Sequence, residues 1–173
     1  MLRNSSGHNT IIVEGVDGMG KSHLAEQLGD YLERDVITCG PAPKTYIEIR
    51  QWVGEHEKHV IAGDKILDRV TAFSHYVYKT ALGYTVHKEF LHYRAKRLAS
   101  YDAIVILCKT DEPTHEMKDY DDPTQVKIIM ENIDKLHAGY IDLFNDIGVE
   151  PIIYDWKAPN AFPLLIKKLK DIE

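Results

Sequence analysis

The sequence predicts an α/β fold, a five-stranded parallel sheet with helices on both faces. Three observations carry this. Short apolar runs alternate with longer amphipathic ones, as βα units around a parallel sheet require. The 173 residues suit one domain with a single core, without an internal repeat or a low-complexity linker. The stretch before the last strand repeats its apolar residues at helical spacing.

The strands are expected at Thr10–Glu14, Val36–Cys39, Lys65–Arg69, Ala103–Cys108 and Pro151–Tyr154. Helices are expected at Lys21–Glu33, about Thr45–Val60, Thr71–Leu82, Lys88–Ala99, Thr124–Ile147 and near Phe162–Ile172. In the longest of these, Val126, Ile129, Met130, Ile133, Leu136, Tyr140, Leu143, Phe144 and Ile147 define one face. Asp122-Pro123-Thr124-Gln125 offers a cap, a first-turn proline and a Gln three residues on, and Gly148 ends the helix.

Composition narrows the class of function. Hydrophobic residues make up 44% and charged residues 28%, with a net charge of −6. That acidity argues against a dedicated duplex-DNA binder, while leaving room for a local basic cleft. Cys39 and Cys108 form no CxxC pair, so a reducing cytoplasm is expected, that of a bacterium or a phage-infected host. The polar start lacks a signal-peptide core, and no run approaches 18 apolar residues, so no membrane association is expected.

The strongest signal is Gly15-x-x-x-x-Gly20-Lys21-Ser22, which follows an apolar strand and opens a helix. Glycines let backbone N–H groups curl around phosphates, and the helix N-terminus adds partial positive charge. Lys21 is expected on the β- and γ-phosphates and the Ser22 hydroxyl on Mg²⁺. The expected architecture is thus a three-layer P-loop fold over residues 1–173, binding ATP. Its nucleotide-binding set is Gly15, Val16, Asp17, Gly18, Met19, Gly20, Lys21, Ser22 and His23. A ligand-free glycine turn is the bland alternative.

The second constellation is Asp68-Arg69, at the carboxyl end of an expected core strand, where open α/β sheets bind ligands. Asp68 is a candidate to position Mg²⁺ or accept a proton from the acceptor, and Arg69 to clamp a phosphate. A structural ion pair is the competing account. Phe73, Ser74, Tyr76 and Tyr78 follow on one helix, where core packing competes with stacking on a base.

The stretch Glu14-Gly15-Val16-Asp17-Gly18-Met19-Gly20-Lys21-Ser22 resembles the EGxDGxGKS loop of thymidylate kinases. Asp68-Arg69 with Ser74 and Tyr78 resembles the DR…S…Y segment of thymidylate and deoxynucleoside kinases, including small phage-encoded members. The resemblance implies that Asp17 contacts the acceptor sugar or orients a catalytic arginine. It implies that Asp68 and Arg69 line the acceptor site beside the γ-phosphate.

Two departures stand out. Gly40-Pro41 lacks the arginine of the family's Arg-Pro-Gly segment, with Lys44 as a substitute. Met19 stands where a P-loop arginine is found, and the short lid, about residues 109–123, has only Lys109 and Lys118. Arg94 and Arg97, three apart on one helix, are therefore the remaining catalytic candidates beside Lys21, Asp17, Asp68 and Arg69; a surface role or a bridge to helix acids is the alternative.

Other clusters carry less. Glu55-His56-Glu57-Lys58-His59 lacks HExxH spacing and is expected as a solvated helix end. Asp119, Asp121 and Asp122 lack a Ca²⁺-loop pattern. His75 and His92 are expected as hydrogen-bonding side chains.

The favoured expectation is ATP-dependent phosphorylation of a deoxynucleoside monophosphate. A nucleoside kinase is the first rival, favoured by the scarcity of arginine. A kinase acting on a hydroxymethylated pyrimidine such as 5-hydroxymethyluracil within DNA is the second, and the acidic charge counts against it. A GTPase-like switch is more distant, since Lys109-Thr110-Asp111 is only partly like an N-K-x-D motif. A homodimer is left open.

Overall fold

The structure is a computed structural model that describes residues 9–39, 43–83, 87–110 and 123–172. The elements run β1 (Thr10–Gly15), α1 (Lys21–Leu32), β2 (Val36–Thr38), α2 (Tyr46–Ala62), β3 (Ile66–Asp68) and α3 (Thr71–Ala81). They continue α4 (Lys88–Ala99), β4 (Ala103–Cys108), α5 (Pro123–Glu131), α6 (Ile133–Ile147), β5 (Ile152–Tyr154) and α7 (Ala161–Ile172).

All five strands are parallel, in the order β2-β3-β1-β4-β5. β1 lies in the middle and every one of its residues is buried, as expected of a strand covered on both faces. The chain fills one side of β1 with β2 and β3, then crosses to β4 and β5. The carboxyl ends of β3, β1 and β4 thus frame the crevice where strand order reverses.

Between α3 and α6 the core is tight. Phe73 meets Phe144 edge to face at 5.4 Å. A Cβ at Gly139 would lie only 3.1 Å from the Val77 side chain. No helix among the described residues is long and apolar enough to cross a membrane.

The sequence implied one helix over 124–147, and here the structure differs. Asn132 leaves helical geometry (φ −121°, ψ 13°) and separates α5 from α6. Its side-chain amide donates to the Ile128 carbonyl at 2.8 Å, capturing an acceptor that the helix would otherwise use. The apolar face breaks with it: Ile129 is buried while Met130 is 43% exposed. The expected cap at Asp122 lies outside the described residues, as do Gly40-Pro41, Lys118, Asp119, Asp121 and most of the lid.

The charged segment 55–59 also differs from a solvated helix end. His56 and Glu57 are buried on the inner face of α2. The His56 ring accepts from the Thr71 N–H at 3.1 Å. Burial lowers its pKa to about 4, so it is neutral at pH 7.

Candidate functional site

β1 ends at Gly15, where the chain turns sharply against β4. A Cβ there would lie 2.5 Å from the Cys108 carbonyl oxygen, so only glycine fits. Gly20 caps α1 in a left-handed conformation (φ 75°) and no side chain caps the helix. The first-turn N–H groups of α1 therefore remain open to an anion. Ser22 and His23 follow on the exposed side, whereas the Val16 and Met19 side chains are fully buried. Those two residues offer the loop backbone only.

Lys21 is 6% exposed and folds back across the loop. Its Nζ donates to the Val16 carbonyl at 2.7 Å and lies 3.5 Å from Asp17 Oδ1. Burial, and then repulsion from Arg69, lowers its pKa. A phosphate anion placed there would relieve both.

Asp17 is the hub. Its Oδ1 also accepts from Arg69 Nη2, and its backbone N–H donates to the Tyr78 hydroxyl at 3.0 Å. Burial disfavours the charged carboxylate, but Arg69 and Lys21 together hold its pKa below the usual range. Arg69 itself adopts φ 77°, costly for a side chain with a Cβ, and its N–H donates to the Val13 carbonyl. The structure thus gathers Lys21, Asp17 and Arg69 at one point.

Behind them, Glu14 is fully buried and holds three elements together. Oε1 accepts from the Val70 N–H at 2.6 Å, and Oε2 from the Tyr140 hydroxyl at 3.1 Å. Burial pushes its pKa up to about 7, against the Val70 hydrogen bond and the nearby Arg69 and Lys21 charges. Ser74, in the resemblance segment, donates to the Val70 carbonyl and so braces α3. Phe73 is core, whereas the Tyr78 hydroxyl reaches the loop.

Asp68 ends β3, paired with Val13 of β1. It is 8% exposed, and its carboxylate has no hydrogen-bond or ion-pair partner among the described residues. Lys44, Thr45, Tyr46, His75, Lys79 and His87 line a cleft of about 250 Å³ that Asp68 does not line. Tyr46 and His87 stack there at 4.1 Å. Burial lowers the His75 pKa to about 4, while His92 instead pairs with Asp146.

Arg94 and Arg97 do not join this group. Arg94 Nη2 and Arg97 Nε both bind the buried Glu57 carboxylate on α2, and the Tyr101 hydroxyl completes the cluster at 3.1 Å. Tyr101 lies two residues before β4, at the amino end of the strands, whereas the loop leaves β1 at the carboxyl end. The two arginines serve to tie α4 to α2.

On the other flank of α1 lies a cleft of about 510 Å³, walled by Gly20, His23, Leu24 and Gln27 and by Trp156 and Asn160 from the loop after β5. That loop is not among the candidate site residues read from the sequence, although Asp155-Trp156 at the carboxyl end of a strand is a usable signal.

Comparison with solved structures fits this geometry. The YorR protein of Bacillus subtilis, solved with phosphorylated GDP, matches with a TM-score of 0.62 and 20% identity over 95% of this chain and 96% of that one. A deoxyadenosine kinase from M. mycoides, solved with dCMP and dCDP, gives 0.62 and 15% over 95% and 100%. Thymidylate kinase from Ehrlichia chaffeensis gives 0.61 and 15% over 96% and 99%. This is the P-loop kinase fold. No family model matches the sequence, and no curated protein matches it. Within the P-loop kinase fold the likeness extends to a gluconokinase from Sinorhizobium meliloti (TM-score 0.51, 13% identity), so the fold spans dissimilar acceptors.

Proposed function

We propose that the chain is an ATP-dependent kinase that transfers the γ-phosphoryl group to a nucleotide-type acceptor. The observation that carries this is the open N-terminus of α1, with Lys21 held against the loop carbonyl of Val16. Triphosphate binding would draw Lys21 off that carbonyl onto phosphate oxygens, exchanging one hydrogen bond for charge-assisted ones. The cleft beside Trp156 offers the nucleoside moiety a wall on the same side as the loop.

A divalent ion fits this site through few protein atoms. The described residues contain no group of three or more side chains suited to hold a metal. Ser22 would hold Mg²⁺ together with the phosphates, joined by Asp68 where that carboxylate does not serve as a base, and Mg²⁺ would offset phosphate charge. Catalysis by the chain's own residues is then positioning and charge stabilisation by Lys21, with Arg69 held beside it by Asp17.

For the acceptor, the geometry supports a hydroxyl group better than the monophosphate the sequence favoured. Arg94 and Arg97 are committed to Glu57, and Arg69 is tied to Asp17. Asp68, by contrast, offers a buried carboxylate without a partner among the described residues, suited to take a proton from a hydroxyl. That hydroxyl belongs to a nucleoside or to a hydroxymethylated pyrimidine in DNA. The monophosphate reading keeps one supporting observation, the presence of Lys44 and Lys79 in the cleft that Tyr46 and His87 line.

The deciding experiment is transfer from γ-labelled ATP across deoxynucleoside monophosphates, deoxynucleosides, plain DNA and DNA carrying hydroxymethylated pyrimidines. Label on a deoxynucleoside or on modified DNA supports the hydroxyl reading. Label on monophosphates alone overturns it, and label on none removes the kinase assignment.

A further inference from the structure

His137 lies on α6 three residues before Tyr140, so the two share the helix's inward face. Tyr140 reaches Glu14 next to the loop. α6 ends at Ile147, five residues before β5 begins, and so runs toward the amino end of the sheet. His137 therefore stands about one helical turn nearer the carboxyl edge than Tyr140, on the side of the phosphate loop.

At that level its imidazole is 8% exposed, and neither ring nitrogen has a hydrogen-bond partner among the described residues. Thr110, two residues beyond β4, is 4% exposed and its hydroxyl is likewise without a partner among the described residues. Buried polar groups are nearly always paired, and the exceptions ask for an explanation. The charged groups near the ring are Lys109 after β4, Asp134 on α6 and Lys21 in the loop. Burial, followed by Lys109, lowers its pKa, so at neutral pH the ring presents one N–H donor and one acceptor.

We propose that His137 is a phosphate-contacting residue of the transfer site, its ring N–H donating to a phosphoryl oxygen of the bound nucleoside triphosphate. The inference rests on the kinase reading above and supplies a donor that Arg94 and Arg97, held by Glu57, do not. Such a contact explains why the chain tolerates an unsatisfied ring in the free protein, since it is satisfied only in the complex. A histidine that merely fills the space under α6 would be replaceable by an apolar side chain at no functional cost.

The test compares the full chain with His137→Leu and His137→Gln. The measurements are thermal melting without ligand, binding of Mg·ATP, and kcat with the best acceptor found in the transfer screen. His137→Leu is expected to melt no lower than the wild type, because a buried unsatisfied group is removed. Its kcat is expected to fall about 10²-fold, as when a charge-stabilising donor is lost. Glutamine, which keeps an N–H donor, is expected to restore part of that loss. Wild-type kcat in an active, folded His137→Leu protein would overturn the assignment alone. So would a Leu variant that melts lower while glutamine restores nothing, since both results describe a packing residue. No transfer and no Mg·ATP binding by the wild type would sink the kinase reading, and this inference with it.

Discussion

Tyr140 of α6 donates its hydroxyl to Glu14 of β1, 126 residues earlier in the chain, at 3.1 Å. The same carboxylate accepts from the Val70 N–H, so one buried group joins the central strand to α6 and to the start of α3.

The pH dependence of stability follows from that group. Glu14 has its pKa raised from 4.5 to about 7 in the folded chain, so between these values the native state binds more protons than the unfolded one. Stability therefore falls as pH rises through this window, by about 3 kcal/mol if Glu14 acted alone. Glu14→Gln keeps an acceptor for Val70 and an amide for Tyr140, and should flatten the decline. Chemical denaturation from pH 4.5 to 8 measures it; an unchanged slope in the variant would assign the effect to another group.

Lys21→Ala should leave the fold intact and reduce phosphoryl transfer on the order of 10²-fold or more, because the charge brought to the phosphates is lost. Turnover near wild type in a folded variant would remove Lys21 from the site.

Asp68→Asn and Arg69→Lys separate the acceptor classes. With a hydroxyl acceptor, Asp68→Asn should lower kcat by about 10²–10⁴-fold, the range expected of a lost general base. Arg69→Lys should then act mainly by loosening the Asp17 contact. With a monophosphate acceptor, Arg69→Lys should chiefly raise the acceptor KM. Steady-state kinetics of both variants discriminates, and unchanged kinetics in both would make the pair structural.

Glu57→Gln should destabilise the protein by about 2 kcal/mol, since it weakens the link between the buried carboxylate of α2 and the two guanidinium groups of α4. The transfer rate per folded molecule should not change. A large fall in kcat at undiminished stability would instead return Arg94 and Arg97 to the catalytic inventory.

The order of strands and helices was legible because apolar runs and helical periodicity are local properties, and the loop at Gly15–Ser22 because its glycines are dictated by backbone geometry. The break at Asn132 was not, because periodicity continues across it and only a side-chain hydrogen bond to Ile128 reveals it. Arg94 and Arg97 look like cleft residues on charge alone. Their true partner, Glu57, lies 37 and 40 residues away, and a single sequence offers no register between α2 and α4. His137 escaped notice for the same reason, since a missing partner can be recognised only when the surroundings are known.

The near contact between Gly139 and Val77 has a mechanical consequence. With no side chain to act as a cushion, α3 and α6 meet almost backbone to side chain, and Phe73 against Phe144 extends the seam. α3 carries Tyr78 and follows directly from Arg69; α6 carries Tyr140 and His137. The two helices are therefore packed as one unit, so a change in the seam should reach both the Tyr78 contact with the loop and the Tyr140 contact with Glu14. Alanine at 139 would wedge that seam, so a single methyl group far from the loop should disturb both contacts at once.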